Sequence, residues 1–172
     1  VHVGHLNIKK EKMSKTKKNY ILIKDLLKHF DSEVIRFFFL LTHYRSKTNF
    51  SNKNLIKAEK GLNRLYRAIL LYKNTNAKLD KGIITKFLDA LSDDINTPKA
   101  ISILFNSIKN KHDATCYQGL LRTVKYLGNL LGILYSEPLR FLNKNRINNN
   151  NIKKINYLKK KRELAREPEN KR

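Results

Sequence analysis

Apolar positions recur at spacings of three and four along most of the chain, the period of helices that bury one face. Between residues 51 and 74 the stripe is Leu55, Ala58, Leu62, Leu65, Ile69 and Tyr72, opened by Ser51 as a helix cap. Ile84, Phe87, Leu88 and Leu91 form the next stripe, which stops ahead of Asp93-Asp94-Ile95-Asn96. A further helix starts with Asn96 or Thr97 as cap and Pro98 in its first turn, where a missing N–H costs nothing, and it carries Ile101, Leu104, Phe105 and Ile108. The last stripe is Tyr117, Leu120, Val124, Leu127, Leu131 and Leu134, with Thr115 as cap and Gly132 near its end. Long helices joined by short polar links predict an antiparallel bundle.

Ahead of residue 51 the pattern is less regular. Val1, Val3, His5 and Ile8 alternate briefly with polar neighbours and predict a short strand feeding a polar loop. Tyr20-Ile21-Leu22-Ile23 reads as a second short strand, and Asp25 to Phe30 as a short helix. Ser32 caps the next helix, whose residues Val34 to Leu41 are apolar on nearly every side; that predicts burial at the centre of the packing, with Arg36 as the polar exception. The fold class is therefore mainly α, a helical bundle preceded by a short strand and loop. From about residue 142 the character changes: Asn143, Asn145 and Asn148 to Asn151 make a polar linker, and Ile152, Ile155 and Leu158 give only a weak stripe among lysines.

The 172 residues are 41% hydrophobic and 30% charged, the balance of a soluble globular protein with a core. No apolar run approaches the ~20 residues of a bilayer span and no signal peptide opens the chain, so no membrane role is expected and a cytoplasmic location fits. A single cysteine, Cys116, excludes an internal disulfide and a cysteine-based metal cluster. Lys plus Arg number 37 against 14 Asp plus Glu, a formal +23, and a field of that size draws polyanions such as nucleic acid. Abundant Lys, Asn and Ile also match an A/T-rich coding bias, so charge supports RNA contact without establishing it.

One stretch stands out chemically. Lys12 and Lys15 are set to turn toward one polyanion, and the Ser14 hydroxyl with the loop N–H groups adds donors able to stabilise charge on a departing phosphate. There is no G-x-x-x-x-G-K-[ST] frame, so this is not a P-loop, and in a lysine-rich chain such a pair by itself reads as a solvated loop. Lys57, Lys60, Arg64 and Arg67 share the face opposite the Leu55 to Tyr72 stripe; the plain reading is a solvated face, the sharper one a contact to RNA phosphates. Arg36 is read first as a paired structural arginine, then as a phosphate contact. His43, Tyr44 and Arg45 read as a packed aromatic turn, and Asp93 and Asp94 as loop and helix-end carboxylates without chemistry.

Lys12-Met13-Ser14-Lys15-Thr16 resembles the KMSKS signature of class I aminoacyl-tRNA synthetases, with Thr16 in place of the last serine. Its surroundings are similar to cysteinyl-tRNA synthetases: His2-x-Gly4 upstream, Asn19 downstream, Asp31-Ser32-Glu33-Val34-Ile35-Arg36-Phe37-Phe38, His43-Tyr44-Arg45-Ser46 and Asn49-Phe50-Ser51. Further on, Phe87-Leu88-x-Ala90-Leu91-x-Asp93-Asp94-x-Asn96-Thr97-Pro98-x-Ala100 resembles the same family at a matching distance.

The resemblance implies that residues 1–45 end a Rossmann-type catalytic domain with the signature loop and stem-contact segment, that 46–141 form a tRNA-contacting helical bundle, and that 142–172 are a basic linker with an incomplete anticodon-binding module. It implies ATP-dependent attachment of cysteine to tRNA(Cys) through cysteinyl-adenylate, by a monomer using ATP with Mg. Lys15 then stabilises the departing pyrophosphate, Lys12 assists, Met13 and Ser14 shape the loop, and Thr16 adds a hydroxyl. The HIGH signature and the zinc ligands that hold the cysteine thiolate are expected upstream, with no metal in this segment, so this stretch alone should be inactive. Lys10, Lys17 and Lys18 depart from the family pattern toward a more basic loop, and His5 replaces an apolar position. The alternative is a non-catalytic basic helical RNA-binding protein on the same scaffold. A third reading is a relative that ligates cysteine to a small molecule.

Overall fold

The computed structural model describes residues 2–8, 11–14, 16, 19–72, 76–109 and 114–144, without the side chains of 114–116. Lys15, His112 and the polar and basic stretch 145–172 lie outside the described residues, as does the Cys116 side chain. A small sheet opens the chain: β1 (Leu6–Ile8) pairs antiparallel with β2 (Glu11–Lys12) and parallel with β3 (Thr48–Phe50). Parallel partners need a crossover, and the chain between β2 and β3 provides it through α1 (Ile23–Leu26) and α2 (Ser32–Leu40).

Residues 20–22, expected in a strand, have no strand partner among the described residues. They run into α1 instead, with Asp25 in its first turn, and Tyr20, Ile21, Leu22 and Ile23 stay exposed. α1 is one turn long, and turns through residue 30 bring Leu26 and Phe30 into the core, so the expected Asp25 to Phe30 helix starts and ends early. The cap of α2 is Asp31 rather than Ser32: its carboxylate accepts from the Glu33 N–H at 3.0 Å and complements the helix dipole, while the Ser32 hydroxyl meets Tyr135 Oη at 3.2 Å. α2 buries Glu33, Val34, Ile35, Phe37 and Phe38, but Phe39 is 41% exposed, so the helix is covered over a broad face and not all round.

The long helix α3 (Asn52–Ile69) starts where Ser51 accepts from the Asn54 N–H at 3.2 Å, and it buries Leu55, Ala58, Leu62, Leu65, Tyr66 and Ile69. It ends ahead of Tyr72, which falls in the link to α4 (Lys81–Ser92). α6 (Ala114–Leu130) holds that link in place, with Gln118 donating to the Leu71 carbonyl, Arg122 to Ala77 and the buried Thr123 hydroxyl accepting from the Asp80 N–H. In α4 the buried face is Phe87 and Ala90, and Leu88, expected on it, is exposed. α5 (Thr97–Lys109) has Asn96 as its cap, accepting from the Lys99 N–H, and buries Ile101 and Leu104. α6 already includes Ala114, one residue ahead of Thr115, so Thr115 is inside the helix and does not cap it. After α6 the chain turns through Gly132 and Leu134, both with positive φ, into helical residues 138–144.

The core is continuous from α2 through α3 to α5, α6 and the turn after it. Its polar centre is Glu33, whose carboxylate accepts from Tyr66 Oη at 2.7 and 2.8 Å, from the Leu134 N–H at 2.7 Å and from the Ser136 hydroxyl at 2.7 Å. Burial first, and then the hydrogen bond into Glu33, raise the Tyr66 hydroxyl well above its usual pKa, so it stays a donor. Phe141 stacks on the Tyr66 ring at 3.9 Å between centroids, closing helical residues 138–144 over the knot.

Candidate phosphate-binding loop and nucleic-acid interface

The signature loop is built on the β1–β2 hairpin. Asn7 pairs with Lys12 and Ile8 with Glu11, so Lys12 starts the loop from a strand position. The Met13 N–H donates to the Leu6 carbonyl at 2.9 Å and extends that pairing by one bond. Asn19 then clasps the loop from its far side. Its Oδ1 accepts from the Ser14 N–H at 2.8 Å and its Nδ2 donates to the Lys12 carbonyl at 3.2 Å, so one side chain replaces the backbone partner that a bulging loop lacks.

The Met13 and Ser14 N–H groups, expected to be free for a phosphate, are thus engaged inside the protein. Lys12 and Thr16 are exposed, while Met13 and Ser14 are half-buried. Among the described residues no group of three His, Cys, Asp or Glu side chains is placed to hold a metal ion, and no helix is long and apolar enough to cross a membrane.

The sheet sets the loop close to the start of α3. Asn7 pairs with Lys12 on one side and with Asn49 on the other, which makes a row across three strands, roughly 10 Å at ordinary strand spacing. Asn49 lines a shallow pocket of about 220 Å³ with Phe38, Leu41, Thr42, Thr48, Asn54 and Lys57. Lys57 begins the basic face of α3, and Lys60, Arg64 and Arg67 continue it, all exposed. Arg64 has a second engagement: its guanidinium lies over the Phe105 ring, 5.2 Å from the centroid, and packs α3 on α5. Arg36 is apart from this face, exposed on α2 and packed along the backbone at Gly132, with no carboxylate within 4 Å among the described residues. The pairing expected for it is absent there.

Sequence reasoning missed a second polar centre. Asp94, read as a helix-end carboxylate, reaches across to the turn after α2, accepting from Tyr44 Oη at 2.6 Å and pairing with Arg45 Nη2 at 3.1 Å. Arg45 Nε also donates to Tyr44 Oη at 2.8 Å, and the His43 and Tyr44 rings stack at 4.9 Å. The hydrogen bond to Tyr44 first, and then the Asp94 charge, raise the Arg45 pKa above its already high value. Asp93 closes α4 with its N–H on the Asp89 carbonyl and its carboxylate 3.5 Å from Lys99.

Comparison with known proteins finds two family models. Residues 1–60 match "tRNA synthetases class I (C) catalytic domain", and residues 86–135 match the "DALR domain". The chain is 38% identical over 183 residues to the cysteine-tRNA ligase of Blochmanniella pennsylvanica, covering 96% of this chain and 38% of that protein. It is 38% identical over 177 residues to that of Wigglesworthia glossinidia brevipalpis, covering 96% of this chain and 37% of the relative. Against the cysteine-tRNA ligase of Polynucleobacter asymbioticus the identity is 42% over 147 residues, covering 83% of this chain and 31% of the relative. The chain thus spans well under half the length of the curated relatives it matches.

Proposed function

We propose that the chain is part of a cysteine-tRNA ligase and that it supplies the pyrophosphate-stabilising loop and a tRNA-binding helical face to ATP-dependent attachment of cysteine to tRNA(Cys), as its likeness to those enzymes over nearly its whole length supports. In the first step the carboxylate of cysteine attacks the α-phosphorus of ATP, the bond to the bridging oxygen breaks, and pyrophosphate leaves with growing negative charge. Lys15 and Lys12 neutralise that charge as it develops, Thr16 adds a hydroxyl, and Met13 and Ser14 hold the loop's shape through their bonds to Leu6 and Asn19. Interactions that strengthen as charge develops raise the rate of the step more than they tighten ATP binding.

The observation that carries the reading is the Asn19 clasp. It anchors the loop at Lys12 and Ser14, next to the Met13 bond to Leu6, and leaves Lys12 and Thr16 exposed. Lys57, Lys60, Arg64 and Arg67, with Arg36 as a more distant candidate, meet tRNA phosphates. The three-part division at residues 45 and 141 stays part of the proposal, with Mg accompanying ATP and zinc belonging to sequence outside this chain.

Protein expressed from the full reading frame that encodes this chain should catalyse ATP–pyrophosphate exchange that depends on cysteine. Exchange that ignores cysteine, or tRNA binding with no exchange at all, would overturn the proposal, the latter in favour of a non-catalytic RNA-binding protein.

A further inference from the structure

The backbone between α4 and α5 takes an unusual path. Asp94 has φ 52 and Ile95 has φ 53, two successive non-glycine residues in the left-handed region. For a β-branched residue that conformation is strained, and the Ile95 side chain is 56% exposed, so no burial of that side chain accounts for it. The path closes α4, with the Ile95 N–H on the Leu91 carbonyl at 3.0 Å and the Asn96 N–H on the Ala90 carbonyl at 3.1 Å, and it leaves the Asp94 carboxylate against the turn at residues 43–45. Three polar groups there face it: Tyr44 Oη at 2.6 Å, Arg45 Nη2 at 3.1 Å and His43 Nε2 at 3.7 Å.

Tyr44 is engaged twice. Its side chain goes to the bundle through Asp94, and its carbonyl accepts from the Gly4 N–H at 2.7 Å, just ahead of β1. The approach is close enough that a Cβ at Gly4 would run into the Ser46 carbonyl, which is why glycine stands there. One residue further the His5 carbonyl accepts from the Thr48 N–H at 3.0 Å and starts the β1–β3 pairing, and β1 in turn carries the hairpin and the signature loop. The run from Asp94 through Tyr44 and Gly4 to β1, and from Leu6 to Met13, is therefore an unbroken series of hydrogen bonds and short backbone steps.

We propose that Asp94 is a positioning residue: it fixes β1 against the helical bundle through Tyr44, and so fixes the position of the signature loop relative to the basic face of α3. The functional consequence rests on the reading given under Proposed function, in which that loop and that face serve one tRNA-linked reaction. The mechanical part does not need activity to be tested.

The test is residue-resolved amide hydrogen exchange on the 172-residue chain, comparing wild type with Asp94→Asn, Asp94→Ala and Tyr44→Phe. Asparagine tolerates the left-handed conformation and keeps an acceptor for Tyr44 but loses the charge facing Arg45, whereas phenylalanine keeps the stacked ring and loses the hydroxyl. Exchange at Gly4, Met13 and Thr48 should quicken by roughly tenfold or more in Asp94→Ala and Tyr44→Phe, and by less in Asp94→Asn, because a charge-assisted bond has been removed or weakened. Over the same comparison Leu65 in α3 and Leu104 in α5 should keep their wild-type protection. Unchanged exchange at Gly4, Met13 and Thr48 would overturn the proposal. So would an equal loss of protection throughout the bundle, which would make Asp94 a general stabiliser. Failure of cysteine-dependent ATP–pyrophosphate exchange would sink the functional reading and leave this one standing.

Discussion

Lys12 in the signature loop and the basic residues of helix α3 are all exposed, on different foundations. The loop is held by the Met13 bond to Leu6 and the two bonds of the Asn19 clasp, each of a kind with a net contribution of about 0.5–1.5 kcal/mol. Behind the basic face of α3, Leu55, Leu62 and Leu65 are fully buried and Tyr66 is anchored into Glu33. Truncating one such leucine typically costs about 2–5 kcal/mol. On the proposed reading, the surface that would hold a polyanion in register rests on the more heavily buttressed of the two regions. Asp94 and Tyr44 join the two.

The comparison can be broken first at the core. Glu33→Ala leaves Tyr66 Oη, the Leu134 N–H and the Ser136 hydroxyl without their acceptor, and each buried donor left unmade costs on the order of 1–3 kcal/mol, so a net loss of about 2–4 kcal/mol is expected. Urea unfolding followed by circular dichroism measures it. A loss under about 1 kcal/mol would show that the knot does not carry the bundle.

A smaller effect is expected on the α3 surface. Replacing Lys57, Lys60, Arg64 and Arg67 together by glutamine keeps good helix formers in place, so the fold should hold, while tRNA affinity falls by roughly 10- to 100-fold at low salt. The slope of log affinity against log salt should become shallower by roughly 3 units, fewer than the four removed charges because Arg64 is partly committed to Phe105. Filter binding across a salt series decides it, and an unchanged slope would reduce the stripe to a solvated face. The smallest effect is Thr16→Ser, which retains the hydroxyl and should leave cysteine activation at the wild-type rate in steady-state assays.

The elements with strong local signals were legible in the sequence. α3 shows its cap, its stripe and its basic face in consecutive residues, and the Asn96 cap with Pro98 behind it announces α5. The features that escaped depend on contacts between distant positions. β3 is three residues with a single buried apolar side chain, too short to show a period, and it exists because His5 and Thr48 meet. Glu33 stands in the first turn of α2, an ordinary place for an acid, yet its partners lie 33, 101 and 103 positions away. Asp94 looked like its neighbour Asp93, and only a left-handed backbone separates their roles. At the loop, the sequence named Lys12 to Thr16 and Asn19 but held no sign that Asn19 would take up the Ser14 N–H. The exposed Tyr20 to Ile23 run joins no strand among the described residues, and its last residue opens α1.

The central claim is that the loop stabilises charge on departing pyrophosphate, and it turns on Lys15, which lies outside the described residues. Rapid-quench measurement of cysteinyl-adenylate formation, in protein from the full reading frame, compares wild type with Lys15→Ala. Loss of a charge-assisted donor aimed at developing charge typically lowers the rate on the order of 10² to 10³, and that drop is expected with the dissociation constant for ATP nearly unchanged. Lys12→Ala should act in the same direction by a smaller factor. A Lys15→Ala protein that forms adenylate at the wild-type rate would contradict the account and take the loop out of the chemistry.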